Sequence, residues 1–169
     1  MISVASRRRR LMLGVTAAVG LAGCGFELRR APEMRFQRVQ LSGFGPKSPL
    51  ALELRQSIDA SPDTRVVDSA AQAQVVLEAL ADSRERSVVA YTSTGLVREV
   101  QLRARLSFRL RSASGKELIA PTEILQTREL SYNEGIALAK QYEEAFQFKA
   151  MQTDIVTQVI RRLAAVPAF

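Results

Sequence analysis

Twelve consecutive residues, Val100 to Arg111 (VQLRARLSFRLR), alternate without a break. Val100, Leu102, Ala104, Leu106, Phe108 and Leu110 fall on one side of an extended strand. Gln101, Arg103, Arg105, Ser107, Arg109 and Arg111 fall on the other, because successive strand side chains point to opposite faces. The chain must therefore build a sheet with one face on a core and the other in water or against a polar partner. The wet side of this strand holds four arginines and no acid. Two readings stay open for it: a solvated outer face, since the arginine stem shields strand backbone, or a surface that meets anions.

The first two dozen residues do not read as fold. Arg7 to Arg10 form a basic region, and Leu11 to Ala22 (LMLGVTAAVGLA) form an apolar run of the length found in export signals. That run is too short for a bilayer span, which needs about 20 apolar residues. It ends in Leu21-Ala22-Gly23-Cys24, which resembles the lipobox of bacterial lipoproteins, where the cysteine is acylated and becomes the first mature residue. We expect a lipoprotein signal peptide at 1–23, an acylated N-terminus and tether at 24–34 with Cys24 as the lipid anchor, and a single domain at 35–169. Cys24 is the only cysteine, so no internal disulfide is possible. Gly25 rather than Asp follows it, which in bacterial sorting logic implies the outer membrane. Several acyl chains make a durable anchor, since each buried methylene adds about 0.8 kcal/mol. The leader also changes the charge argument. The chain has 24 basic and 17 acidic residues, and removing the four leader arginines leaves 20 against 17. Nucleic acid as a partner loses most of its support, and local clusters of charge matter more than the total.

Along the mature chain, Arg35 to Leu41 reads as a first strand and is ended by Ser42-Gly43-Phe44-Gly45-Pro46. Ser48 caps and Pro49 starts a helix with an apolar stripe of Leu50, Leu54 and Ile58. Thr64 to Val67 is a second strand, and strand, helix, strand at this spacing predicts a right-handed crossover with parallel strands. Ala73 to Tyr91 reads as one strand, with or without a bulge at its polar middle. In that middle Glu78, Asp82 and Glu85 are expected to pair with Arg84 and Arg86. After the turn Thr92-Ser93-Thr94-Gly95 the alternating strand returns antiparallel. Glu117 to Tyr132 follows as a third long strand, whose first half Pro121 makes an edge or a loop. From about Ile136 the period becomes helical, with Phe148, Met151, Ile155, Val159 and Leu163 on one stripe, acids near the start and Arg161 and Arg162 near the end. Pro167 closes it. The expected fold is α+β: a two-layer sandwich with two helices packed on one face of a mixed, mainly antiparallel sheet of four to five strands, and the arginines on the other face.

Catalytic chemistry is sparse. The sequence has no histidine, the commonest general base and metal ligand. With Cys24 acylated no thiolate remains, and neither a nucleophile elbow nor a phosphate-cradling glycine loop is present. We expect no enzyme, no metal site and no cofactor; what is left is binding.

The lipobox, the following Cys24-Gly25-Phe26-Glu27-Leu28-Arg29, the strand-helix-meander-helix order and Ala137-Leu138-Ala139-Lys140 at the opening of the last helix make the chain resemble the LptE family of lipopolysaccharide-assembly lipoproteins. The resemblance covers essentially the whole mature chain. It implies an outer-membrane lipoprotein that plugs and helps assemble the large β-barrel LptD, binds lipopolysaccharide and assists its passage to the outer leaflet. It implies also that Lys140 contacts lipopolysaccharide phosphate; the competing reading is a helix-surface lysine paired with Glu144 at i+4. The family's second basic residue lies in the turn before the long central strand, where this chain has the uncharged Thr92-Ser93-Thr94-Gly95, although Arg98 just beyond could reach the same region. Arg103, Arg105 and Arg109 are further candidates for phosphate, since guanidinium forks bind its oxygens two at a time. A different class of function, an auxiliary lipoprotein of another envelope lipid-trafficking system or a scaffold on the cell wall, would carry the same anchor without affinity for lipopolysaccharide.

Overall fold

A computed structural model describes residues 33–168. The signal peptide expected at 1–23, the lipid anchor expected at Cys24 and the expected tether up to residue 32 lie outside the described residues. Within them run β1 (Arg38–Ser42), α1 (Pro49–Asp59), β2 (Arg65–Val67), β3 (Val75–Tyr91), β4 (Val97–Ser112), β5 (Glu117–Ser131) and α2 (Ala137–Ala164). One-turn 3₁₀ segments at Ala70–Gln72 and Glu134–Ile136 precede β3 and α2. Met34 is already buried in the core.

The five strands form one sheet in the order β2-β1-β3-β4-β5. β1 pairs parallel with both β2 and β3, whereas β3, β4 and β5 form an antiparallel meander. This is the expected α+β sandwich, with five strands in its sheet. β4 supplies its centre: Val100, Leu102, Ala104, Leu106, Phe108 and Leu110 are all buried, and they meet Met151, Ile155, Val159 and Leu163 of α2 in a single core. α1 adds Leu50, Leu54 and Ile58 to that core. Ser48 Oγ accepts from Ala51 N at 3.1 Å as its cap and donates to Asp82 at 2.6 Å, which ties the start of α1 to β3.

β1 is short for a backbone reason. Its pairing with β3 ends at Ser42 opposite Glu78. Gly43 then turns with φ +77°, and a Cβ there would run into the Ala79 carbonyl, so only glycine fits. Above this point β3, from Leu80 to Tyr91, has no strand on that side among the described residues. At the same level β3 carries a bulge between Ala79 and Ala81. The extra residue reverses the facing of everything beyond it. Val75, Leu77 and Ala79 point to the helices, and after the bulge Asp82, Arg84, Arg86 and Val88 do so, opposite Leu106, Ala104, Leu102 and Val100. A second break lies between Val88 and Ala90.

Of the two readings open for the first half of β5, the edge strand holds: it is continuous through Pro121, at an edge of the sheet and at a register shift, where a missing N–H costs no ladder bond. Two expectations are corrected. The first turn of α2 holds no acid; Glu143 and Glu144 sit one turn in, while Arg161 and Arg162 do occupy the last turn. The acids of β3 do not pair with Arg84 and Arg86. Glu78 faces β4, Asp82 bonds Ser48, and the two arginines are taken up by α2: Glu78 and Glu85 point to the face opposite the two arginines, and Asp82, on their own face, is taken by the start of α1.

Candidate functional site

The open face of the sheet is built by the strand alternation. Arg103, Arg105, Arg109 and Arg111 lie on it, away from the helices. β4 alone brings no acid to this face, but the register of its neighbours does: Glu78 and Glu85 of β3 stand opposite Arg109 and Arg103, and Glu123 and Glu129 of β5 stand opposite Ser107 and Gln101. Glu78 receives Arg109 at 2.8 Å and Arg111 at 2.7 Å. The hydrogen bond from Arg109 holds its carboxyl below the ordinary value against an opposing desolvation, with the charges of Arg109 and Arg111 adding to the effect. The same hydrogen bond, donated to Glu78, raises Arg109. Arg105 approaches Glu123 at 3.7 Å. Arg103 Nε donates to Gln101 at 2.7 Å, and the Gln101 amide donates to Glu129 at 3.1 Å. The assembled face is thus a lattice of both signs, which suits a polar wall better than a single anion.

Arg98 and Lys140 lie elsewhere, at the end of the sheet where β4 begins and α2 starts. Arg98 is exposed, and its guanidinium has no ion pair among the described residues; its carbonyl accepts from Tyr132 N at 2.8 Å. Lys140 Nζ lies 2.8 Å from Glu143, and its side chain is only 13% exposed. Glu144, the partner expected at i+4, is instead taken by Arg86 at 3.0 Å. The neighbouring turn is held by its own hydroxyls, with Thr92 Oγ1 accepting from Leu96 N at 3.1 Å. The structure therefore divides the candidate residues into two surfaces: Arg103, Arg105 and Arg109 on the open face, Arg98 and Lys140 at the end.

A third cluster was missed from sequence. Arg84 lies 6.0 Å from the Phe148 ring and bonds Gln152, and Arg86 lies 5.3 Å from the Tyr132 ring and bonds Glu144. The buried Gln152 also donates to Pro49 O at 3.0 Å and to Glu53, so it links both helices to β3. The signal was present in Asp82, Arg84, Arg86 and Val88 at period two, once a bulge shifts their facing. Two open clefts flank α1, one of about 620 Å³ beside the β1–α1 loop and one of about 520 Å³ between Leu52, Arg84 and Lys149. Neither gathers acid, base and nucleophile within reach of one another. Among the described residues no three potential ligands are grouped to hold a metal ion, and no helix is long and apolar enough to cross a membrane.

The family model for LptE, described as lipopolysaccharide-assembly, matches residues 36–163. The solution structure of an uncharacterized lipoprotein B from Nitrosomonas europaea is similar at 31% identity and a TM-score of 0.71, covering 83% of this chain and 91% of that one. The crystal structure of the rare lipoprotein B from Shewanella oneidensis shares the fold at 24% identity and TM-score 0.64, covering 76% of this chain and 95% of that one. A minor lipoprotein from Acinetobacter baumannii does so at 16% and 0.62, over 79% of this chain and 94% of that one. No curated protein matches the sequence. With the family match spanning both helices up to Leu163 and all five strands, the chain belongs to the LptE family and has that family's part in lipopolysaccharide assembly.

Proposed function

We propose that the protein is a lipid-anchored outer-membrane subunit that plugs the LptD barrel, helps it assemble, binds lipopolysaccharide and assists its transport to the outer leaflet. On this reading residues 1–23 are removed on export, Cys24 carries the acyl chains, 24–34 tether the domain, and no covalent chemistry takes place. The open sheet face carries the argument. A large barrel has a polar, wet interior, and a plug seated in it must offer hydrogen-bonding groups of both signs across a rigid surface. Arg103, Arg105, Arg109 and Arg111 with Glu78, Glu85, Glu123 and Glu129 supply such a surface.

In this assignment Arg98 and Lys140 are the first contacts for lipid phosphate, because they stand at one end of the domain and Arg98 has no ion pair among the described residues. Arg103 and Arg105 serve chiefly the barrel wall, and Arg109 is already occupied by Glu78. Detergent extraction of native membranes tests the proposal: the lipoprotein should leave the column in a stoichiometric complex with a large barrel protein. Recovery of the lipoprotein alone, under conditions in which the barrel stays folded, would reject it.

A further inference from the structure

The buried residues of α2 begin at Met151, so its upper half, residues 137–148, lies beyond the core and is held to the sheet by charged groups. Their pairing is not the one the helix alone would give. Lys140 and Glu144 stand four residues apart, the spacing at which a lysine and a glutamate on one helix face can pair. Both are largely covered, with side chains 13% and 14% exposed. They nevertheless bond elsewhere. Arg86 of β3 donates from Nε to Glu144 at 3.0 Å, and Lys140 Nζ donates to Glu143 at 2.8 Å. Arg86 is fixed from its other side as well: its guanidinium lies 5.3 Å from the Tyr132 ring, and Tyr132 N donates to the Arg98 carbonyl at 2.8 Å. Glu143 is 42% exposed. Its bond to Lys140 is therefore a weak surface pair that an arriving anion can displace.

Taking Arg86 away changes what Lys140 is able to do. Glu144 is too covered to be left as a bare carboxylate without cost. Arg84, on the same face of β3, is held lower on α2 by Phe148 and Gln152. The cation one turn from Glu144 on its own helix face is Lys140. Without Arg86 that lysine would lie between two carboxylates, and a phosphate would have to displace both, one of them shielded from water. We propose that Arg86 is a positioning residue for lipid phosphate: by occupying Glu144 it keeps Lys140 available, with only the displaceable Glu143 as its partner. The inference rests on the reading of Lys140 as a phosphate contact. Arg86 acts through Lys140 and does not itself touch the ligand.

Calorimetric titration of full-length variants with purified lipopolysaccharide tests this. Arg86→Met should weaken binding about two- to fivefold, the range of one weak ion pair. Glu144→Gln disrupts the same pair but should bind at least as well as wild type, and adding it to Arg86→Met should restore affinity. A purely structural role for the pair would move both single variants in the same direction, and that result overturns the proposal. On a Lys140→Gln background Arg86→Met should have no further effect. A loss that persists there means a direct contact or a general effect of charge, and overturns the proposal too. If Lys140→Gln alone binds as wild type does, the reading of Lys140 falls and the role of Arg86 with it. If Lys140→Gln binds weakly while Arg86→Met keeps full affinity, the role of Arg86 falls alone. A crystal structure of Arg86→Met should show Glu144 turned to within hydrogen-bond distance of Lys140 Nζ; a Glu144 that stays apart overturns the proposal whatever the affinities.

Discussion

Glu144 accepts both of its contacts from Arg86 Nε, at 3.0 and 3.1 Å, across the seam between the upper half of α2 and β3. The Arg86 guanidinium also stacks 5.3 Å from the Tyr132 ring. This seam holds the upper helix where the core does not reach. Arg86→Met should lower stability by about 1 kcal/mol, a partly exposed ion pair and a cation–π contact contributing about half each. Urea denaturation measures it. Hydrogen exchange should show the loss confined to residues 137–148, leaving protection around Ile155 and Val159 unchanged; uniform loss along α2 would show that the helix acts as one unit.

Gly43 stands where β1 must leave the sheet. Gly43→Ala meets both a positive φ and the Ala79 carbonyl, and should cost about 2 to 4 kcal/mol. Gly95 has a similar φ of +85° but open space around it. Gly95→Ala should cost only about 1 to 2 kcal/mol. Thermal denaturation of the two variants side by side separates backbone strain from steric conflict.

The folded-state carboxyl of Glu78 titrates below its ordinary value of 4.5, chiefly through the hydrogen bond from Arg109. A lowered folded pKa contributes stability that is fully present above the unfolded value and is lost as pH falls through the folded one. The wild-type protein should therefore lose stability on the acid side of pH 4.5, and Glu78→Gln should flatten that part of the curve. An acid limb with the same slope in both proteins would remove Glu78 from the account.

The division of the basic residues into two surfaces has its own consequence for ligand binding. Lys140→Gln and Arg98→Glu should each weaken lipopolysaccharide binding, with the thermal midpoint nearly unchanged for the exposed Arg98 and lowered for Lys140, which gives up its pair with Glu143, and residual binding should fall as salt rises. Arg109→Gln should leave lipopolysaccharide affinity close to wild type, because Glu78 already occupies that guanidinium. Fluorescence or calorimetric titration with purified lipopolysaccharide checks all three. Equal losses for Arg109 and Lys140 would mean that the ligand reaches the open face.

What was legible in the sequence was whatever a fixed period writes down. The alternation from Val100 to Leu110 and the stripe from Met151 to Leu163 identify the two faces that make the core, and Ser48-Pro49 marks the start of α1 to the residue. The charge pattern of the sheet was less legible. Four arginines on one strand read as a cationic surface until register brings Glu78, Glu85, Glu123 and Glu129 onto the same face. Register is a tertiary quantity, set by turns and bulges rather than by the period of one strand. The bulge at Ala79 and Ala81 explains the rest: it sends Arg84 and Arg86 under α2, and with them Glu144, so that Lys140 finds Glu143 instead.

The breaks in β3 also bear on how the chain behaves before it meets any partner. From Leu80 upward that strand leaves its main-chain donors and acceptors facing outward along one side, an opening through which a neighbouring copy could add itself as a further strand. The kinks at either end leave only residues 82–88 straight, and these carry Asp82, Arg84, Glu85 and Arg86. A stray strand is thereby offered a short, charged and twisted berth, which favours solitary molecules over fibres.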